Sequence, residues 1–253
     1  MPLGYGDKAT MDNSAGEVSV PALSVQVQAT LRLQMQHGEL LTRSELFRGL
    51  GSPAIDQVVE AARAVTLQRN DMVFAQDDPA EELFIVRSGR IAIAQRSPDG
   101  RQTMVALMER EDLFGDMPLF DGRPRSAEAR ALEPSQLVGV PYGPIRDVLA
   151  RQPELLWSVV SMLAGRLRAT NAALADSVFL DVPGRTAKRL LELAGPADEF
   201  VLPVTQEELA GLVGASRERV NKALAAFLRL GWLQQADRHY RILDREQMTR
   251  RAT

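Results

Sequence analysis

The most regular hydrophobic pattern in the chain lies between residues 152 and 178. Its apolar positions recur in alternating steps of four and three residues. The repeating positions are Leu156, Val160, Leu163, Leu167, Thr170, Leu174 and then Ser177 or Val178. A mean spacing of about 3.5 residues is typical of the seam between the two helices of a coiled coil. The segment therefore predicts one helix of roughly 40 Å that pairs with a second copy of itself.

The ends of this predicted helix and its one polar seam position add detail. Pro153 falls in the first turn, where a missing N–H costs little, and Pro183 with Gly184 is expected to break the chain after the helix. Thr170 interrupts the apolar seam, and Asn171 follows it. A polar group in a buried seam needs a partner, either across the dimer or on a ligand. We expect this helix to be a dimer axis that links a sensor to an effector.

The pattern before the helix is that of an antiparallel β domain. Short β-prone runs follow one another closely, with turn signals at residues 88–89 and 97–100. The predicted strands are residues 82–86, 90–95, 102–108, 126–132 and 136–140. Many short strands at such spacing indicate a sandwich, a barrel or a jelly roll. Further upstream, residues 1–22 are expected to be disordered and residues 25–41 to form a short amphipathic helix.

The pattern after the helix is that of a winged helix-turn-helix. Thr205 and Glu208 form a capping box that opens a short helix, Gly214 marks a turn, and Ser216 can cap the next helix. The flanking predicted elements, a helix, a strand and a β-hairpin wing, are residues 186–194, 201–204 and 231–243.

Composition narrows the possible functions. There are no cysteines and only two histidines, which excludes cysteine nucleophiles and argues against a histidine-rich metal centre. No apolar run approaches about 18 residues, and the N-terminus lacks a secretory pattern, so we expect a cytoplasmic protein without a membrane partner. The net charge of −3 conceals an asymmetry, since residues 181–253 hold 12 Lys and Arg against 10 Asp and Glu. With no P-loop and no metal set, a binding protein is favoured over an enzyme.

One segment of the β domain, residues 114–127, has the composition of an anion site. Gly115, an acid and a short turn can present backbone N–H groups to an anion. Arg125 can neutralise a phosphate, Ser126 adds a hydroxyl, and Ala127 leaves room for a ring. Taken alone, the same residues are also typical of ordinary surface turns.

This segment, the strand and turn at residues 83–89 and the long helix together resemble the cyclic-nucleotide-binding domain of the cyclic AMP receptor protein (CRP/FNR) superfamily. The resemblance implies that a Gly–acid pair opens a phosphate-binding cassette, that the acid holds the ribose 2′-hydroxyl, and that an Arg-Ser pair holds the cyclic phosphate. It also implies that polar residues of the long helix meet the base. The ligand-binding residues would be Gly115, Asp116, Arg125, Ser126, Thr170 and Asn171.

The cassette departs from the family at Asp116, where the family has glutamate. The shorter carboxylate would lose a direct hydrogen bond or need a water to restore it, at a cost of about 1–3 kcal/mol. The resemblance makes cyclic AMP the expected ligand, and the departure at Asp116 leaves two alternatives open. The protein could bind cyclic di-GMP, with Arg123 and Arg130 available for a second phosphate, or it could act without a ligand.

The second helix of the helix-turn-helix carries charged side chains on its first turns, a pattern that by itself fits a solvated surface equally well. Residues 214–222 also resemble the family's recognition helix, which reads a TGTGA-type half-site. The resemblance implies that Arg217, Glu218 and Lys222 contact the bases of the half-site. Arg219 is expected to contact a phosphate of the DNA backbone. The full set of predicted DNA-binding residues is Thr205, Ser216, Arg217, Glu218, Arg219, Asn221 and Lys222.

The sequence thus predicts an α+β fold. The predicted domains are an N-terminal extension (1–44, partly disordered), a β jelly-roll cyclic-nucleotide-binding domain (45–150), a dimerisation helix and hinge (151–180) and a winged helix-turn-helix (181–253). The resemblance places the hinge at Phe179 and Asp181. We expect a homodimeric regulator that is gated by a cyclic nucleotide, binds palindromic double-stranded DNA and works with RNA polymerase. A nucleotide-regulated signalling scaffold is the alternative from another class.

Overall fold

The computed structural model describes residues 25–48, 50–96 and 102–253. The predicted disorder of residues 1–22 and the predicted turn at residues 97–100 lie outside these ranges.

The first part of the chain is a β-roll flanked by helices. Its elements are helix α1 (Val25–Arg43), a 3₁₀ turn (Glu45–Phe47), helix α2 (Ser52–Ala61), strands β1 (Arg63–Leu67), β2 (Met72–Phe74), β3 (Glu82–Ser88), β4 (Ile91–Arg96), β5 (Gln102–Met108) and β6 (Leu113–Phe114), helix α3 (Met117–Asp121), strands β7 (Glu128–Ala131) and β8 (Ser135–Pro141), and helix α4 (Tyr142–Arg151). The strands form two antiparallel four-stranded sheets, ordered β1-β8-β3-β6 and β2-β7-β4-β5. The predicted jelly roll is confirmed.

Each face of the β1-β8-β3-β6 sheet carries its own apolar core, because side chains alternate between the two faces of a strand. Phe84 and Val86 point between the sheets, where they pack with Ile91 and Phe114. Leu83 and Ile85 point the other way, into a core shared with the helices. Leu40 and Leu41 of α1 belong to this second core. The boundary predicted at residue 44 therefore cuts through a segment that packs on the β domain.

The long helix is present, with a slightly later start than predicted. A 3₁₀ turn at Pro153–Leu155 precedes α5, which runs as one helix over Leu156–Phe179. Val159 and Met162 are buried against the β domain. The apolar residues of the predicted seam are 40% to 69% exposed in the protomer, and they are Leu156, Val160, Leu163, Leu167, Leu174 and Val178. Helix α5 thus has one apolar face that packs on the β domain and a second apolar face that is exposed in the protomer.

The C-terminal part is a winged helix-turn-helix, as predicted. Its elements are α6 (Val182–Ala194), β9 (Glu199–Val201), α7 (Gln206–Val213), α8 (Arg217–Arg229), β10 (Leu233–Ala236), β11 (His239–Ile242) and α9 (Arg245–Arg251). The wing strands β10 and β11 form a sheet with β9 in the order β10-β11-β9.

The prediction that Pro183 and Gly184 break the chain is wrong. Both residues lie in the first turn of α6, which begins at Val182 rather than at residue 186. The Asp181 carboxylate caps the helix by accepting a hydrogen bond from Gly184 N–H at 2.9 Å. Proline is tolerated here because its missing N–H has no intrahelical acceptor in the first turn. The break falls earlier, at the extended residues Leu180 and Asp181.

We expect the Gly89→Ala variant to destabilise the β-roll. Gly89 has φ +85°, and a Cβ placed on it would lie 2.7 Å from Ser135 Cα. Strain at positive φ together with this backbone clash should lower the free energy of unfolding by about 2 kcal/mol or more. Thermal or urea unfolding would measure the loss.

The matched control is Gly122→Ala. Gly122 has a similar φ of +68°, but a Cβ there would meet nothing within 4 Å. The control carries only the backbone strain, about 1 kcal/mol. Equal losses in the two variants would show that the close approach to Ser135 does not matter.

Candidate functional site

A cavity of about 690 Å³ lies between the β-roll and α5. Five of the six predicted ligand-binding residues line it: Gly115, Asp116, Arg125, Ser126 and Thr170. Its apolar wall includes Phe74, Ile93 and Ala127. The β4-β5 strands, the segment around α3 and the long helix therefore bring residues far apart in sequence to one site.

The Arg125 side chain is fixed in the site by burial and by three hydrogen bonds. It is only 4% exposed. Its Nη1 donates to the Gly115 carbonyl at 2.7 Å and to the Tyr142 hydroxyl at 3.1 Å, and its Nη2 donates to the Glu82 carbonyl at 2.7 Å. The guanidinium carbon lies 4.0 Å from the centre of the Phe74 ring. Burial lowers the pKa of Arg125, although a guanidinium remains charged at any physiological pH.

The residues around this guanidinium fit an anionic ligand. Among the described residues, the buried Nε of Arg125 has no hydrogen-bond partner. Ser126 is exposed at the cavity wall, with its hydroxyl 3.6 Å from the Met117 sulfur. Gly115 has φ +74°, and a Cβ on it would lie 2.6 Å from Arg125 Nη1. Glycine is required there because the arginine and the chain pass so close to each other.

Asp116 is bound by a residue that the sequence interpretation missed. The carboxylate is 2% exposed, and both of its oxygens accept hydrogen bonds from Arg166 Nη1, at 2.9 and 2.8 Å. Arg166 Nη2 also donates to the Leu113 carbonyl at 3.2 Å. Arg166 lies four residues before Thr170, so it is on the same face of α5. That spacing was a signal in the sequence from which Arg166 could have been found.

The remaining predicted residues differ in their placement. Thr170 is exposed at the cavity, and its hydroxyl donates to the Arg166 carbonyl at 2.9 Å. Asn171 is exposed and does not line the cavity in the protomer. Arg123 and Arg130, suggested for a second phosphate, do not line it either. Arg130 instead faces α7 across a separate crevice.

The candidate DNA-reading surface is the N-terminal half of α8. The capping box of α7 forms as predicted, with Thr205 and Glu208 exchanging hydrogen bonds, and Ser216 caps α8. Glu218 and Lys222 are both 76% exposed and form an ion pair at 2.9 Å. The hydrogen bond and charge of Lys222 lower the pKa of Glu218.

The other predicted DNA-binding residues are less uniform. Arg217 and Arg219 are exposed on the first turn of α8. Asn221 is half-buried, and its Oδ1 has no hydrogen-bond partner within the described part of the chain. The hydroxyls of Thr205 and Ser216 are already used as helix caps. Exposed charged side chains and helix-capping hydroxyls thus both occur in the predicted set.

The part of the chain that the structure describes contains no group of three or more His, Cys, Asp and Glu side chains that could hold a metal ion. None of its helices is long and apolar enough to cross a bilayer.

Comparison with known proteins assigns both parts of the chain. A profile of the cyclic nucleotide-binding domain matches residues 64–152, and a profile of the Crp-like helix-turn-helix domain matches residues 184–251. The CRP-like cAMP-activated global transcriptional regulator of Mycobacterium tuberculosis (strain ATCC 25618 / H37Rv) is 40% identical over 221 residues, which cover 85% of this chain and 99% of that protein. The chain belongs to the CRP/FNR superfamily of transcription regulators.

Other CRP/FNR superfamily members are similar at greater distance. The cAMP-activated global transcriptional regulator Vfr of Pseudomonas aeruginosa is 32% identical over 58% of this chain and 73% of its own length. Among solved structures, FixK2 from Bradyrhizobium japonicum matches with a TM-score of 0.69 at 21% identity, over 76% of this chain and 98% of its own. The c-di-GMP responsive regulator CLP of Xanthomonas campestris matches with a TM-score of 0.65 at 24% identity, over 76% and 99%. These two likenesses show the shared fold.

Membership of the CRP/FNR superfamily fixes the general function. The protein is a DNA-binding transcription regulator with a cyclic-nucleotide-binding domain, and it is not an enzyme. The cavity lies in the nucleotide-binding part, and α8 lies in the DNA-binding part.

We expect the Arg166→Met variant to destabilise the site, because it leaves a buried carboxylate without its cationic partner. The free energy of unfolding should fall by about 2 kcal/mol, and adding Asp116→Asn should recover most of that loss. Chemical denaturation of the single and double variants would measure both effects.

The matched control is Arg168→Met, which changes an exposed arginine of the same helix. A surface change of this kind should cost no more than about 0.5 kcal/mol. If Arg166→Met costs no more than this control, the ion pair with Asp116 does not contribute to stability.

Proposed function

We propose that this protein is a homodimeric transcription regulator whose affinity for DNA is raised by cyclic AMP. The observation that carries the proposal is the Asp116–Arg166 ion pair at the cavity, since it joins the cassette of the β-roll directly to the long helix. A ligand that competes for either partner of the pair changes the energy of the contact between the two elements. The relatives from M. tuberculosis and P. aeruginosa are cAMP-activated regulators, which supports the proposal.

The ligand proposal rests on the cavity residues. Arg125 offers positive charge at the cavity and Ser126 offers an exposed hydroxyl there, which suits a cyclic phosphate. Phe74 and Ala127 offer apolar surface for a base. Cyclic di-GMP has weaker support, because Arg123 and Arg130 do not line the cavity.

The dimer proposal rests on the free apolar face of α5. Leucine and valine side chains repeat along it with coiled-coil spacing and are exposed in the protomer. Pairing with a second α5 would bury them, and burial of apolar area is the main favourable term in such association. Thr170 and Asn171 would then lie near the dimer axis, where they could meet the ligand.

The DNA proposal rests on the exposed first turns of α8. Arginine can pair with guanine and glutamate with cytosine in the major groove. Two copies of α8 would read half-sites about 34 Å apart, one turn of the double helix, on a palindrome with TGTGA-type half-sites. Activation of transcription would also require contact with RNA polymerase.

We expect Arg125→Gln to weaken cyclic AMP binding by about tenfold or more, because a charged hydrogen-bond donor to a phosphate contributes about 1.5–3 kcal/mol. Titration calorimetry on the full chain would measure the affinity, and thermal unfolding would confirm that the variant is folded. Arg123→Gln, an exposed arginine outside the cavity, is the matched control and should bind like the wild type. Equal cyclic AMP affinity of the wild type and both variants would show that Arg125 does not bind the nucleotide.

We expect Glu218→Ala to relax discrimination at one C·G pair of the half-site, at a cost of about 1–3 kcal/mol for the preferred base. Fluorescence anisotropy with duplexes that vary at each position would measure it. Glu246→Ala is the matched control, because Glu246 forms a similar i,i+4 ion pair with Arg250 on α9, away from α8. A uniform loss on all sequences would assign Glu218 a structural role instead.

A further inference from the structure

Strand β5 runs from the cavity to the DNA-binding domain. Ala106, Leu107 and Met108, near its C-terminal end, line the cavity. Met104 lies two residues before them and is 6% exposed. It belongs to the apolar core of the C-terminal domain rather than to the cores of the β-roll. The same strand therefore contacts both the cavity and the DNA-binding domain.

The partner of Met104 is α7, the first helix of the helix-turn-helix. A Cβ placed on Gly211 would lie 3.0 Å from Met104 N and 3.3 Å from Met104 Cβ. Backbone passes close to backbone at this point, and a Cβ on residue 211 would require its neighbours to move by a few tenths of an ångström. Ala92 and Leu132 of the β-roll join the same apolar cluster as Leu209.

A polar contact lies beside this apolar one. Arg130 Nη2 on β7 is 3.7 Å from Glu208 Oε1, and the two side chains are 27% and 16% exposed. The other oxygen of Glu208 accepts the hydrogen bond from Thr205 N–H that completes the capping box. Glu208, which completes the capping box of α7, therefore also links the helix to the sheet.

The orientation that this contact produces leaves the reading surface free. Glu218 and Lys222 are 76% exposed while α7 is docked on the sheet, and Arg217 and Arg219 are exposed as well. Helix α5 is also continuous up to Phe179 in this arrangement. The docked arrangement is thus compatible with insertion of α8 into a major groove.

We infer that Met104 and Gly211 form a docking seat, which positions the helix-turn-helix on the β-roll in the orientation that reads DNA. The seat gives the cavity a second connection to the DNA-binding domain, through β5, in addition to the one through α5. This inference rests on the proposed function, because it supplies a route by which a nucleotide in the cavity stabilises the DNA-binding orientation. Such coupling is a difference in ligand affinity between the docked and undocked states.

An engineered disulfide tests the seat directly, because the chain has no cysteine that could compete. The 3.3 Å between the two Cβ positions is close to the separation of about 3.5–4.5 Å found in disulfides. The full-length variant Met104→Cys/Gly211→Cys would be oxidised with and without cyclic AMP. Its affinity for a palindromic duplex with TGTGA-type half-sites would be measured by fluorescence anisotropy, and the reduced form of the same protein is the control.

We expect the bond to form and the oxidised protein to bind the duplex without nucleotide as tightly as wild type saturated with cyclic AMP. The inference is overturned if no bond forms in either condition. It is also overturned if oxidation abolishes DNA binding and reduction restores it, because the seat would then be inhibitory. Oxidised protein that keeps the wild-type nucleotide dependence overturns it as well.

The same experiment separates this inference from the proposed function. If wild-type DNA affinity does not respond to cyclic AMP, the proposed gating fails. The seat is then judged by whether the oxidised protein binds the duplex at least as tightly as its reduced form. Tighter or equal binding supports the seat, and weaker binding overturns it.

A single substitution gives an independent test. Gly211→Ala should improve the intrinsic helix propensity of α7 but force Met104 and α7 apart. At saturating cyclic AMP we expect no loss of thermal stability and a several-fold smaller nucleotide-induced gain in DNA affinity than the wild type's, which should be about 5- to 150-fold. Gly143→Ala in α4, where a Cβ meets nothing within 4 Å, is the matched control and should keep the full gain. A full gain in Gly211→Ala would contradict the seat.

Discussion

The ion pair between Asp116 and Arg166 is the contact on which the nucleotide site depends. It holds a buried carboxylate of the β-roll against a helix that otherwise contacts the domain through apolar side chains such as Val159 and Met162. A buried charge without a partner is costly, so the two elements are held in register as long as the pair is intact. The shape of the cavity and the exposure of the α5 seam both follow from where this helix is held.

The pair also bears on the shorter acid at position 116. A carboxylate whose two oxygens are both hydrogen-bonded to one arginine nitrogen is held close to the cavity wall. Arg166, which lines the cavity, remains 37% exposed. In the proposed complex with cyclic AMP, an incoming ribose would meet the ion pair as a unit rather than the acid alone. Arg166 would then supply part of the contact that the longer family glutamate makes alone.

Much of the fold could be predicted because its signals are local. The heptad spacing of α5, the capping box at Thr205 and the Gly214 turn each depend on residues within a few positions of one another, and all three are present. The start of α6 was missed because proline usually ends a helix, and only the Asp181 cap identifies it as a beginning. Arg166 and the Met104–Gly211 contact were missed for another reason. Their partners lie far away in sequence, so no local pattern identifies those partners, although the spacing to Thr170 places Arg166 on the cavity face of α5.

The two halves of α5 differ in how far the protomer buries them. From Leu167 to Phe179 every side chain is exposed except Ala175 and Asp176, which are half-buried. An isolated helix of about 13 residues is marginal in water, so this half of α5 draws its order from whatever covers it. In the proposed dimer that cover is the second α5, and helix formation and association become one equilibrium. Protein concentration would then act as an effector in its own right, since dilution would unwind the segment that carries Thr170 and leads to the hinge.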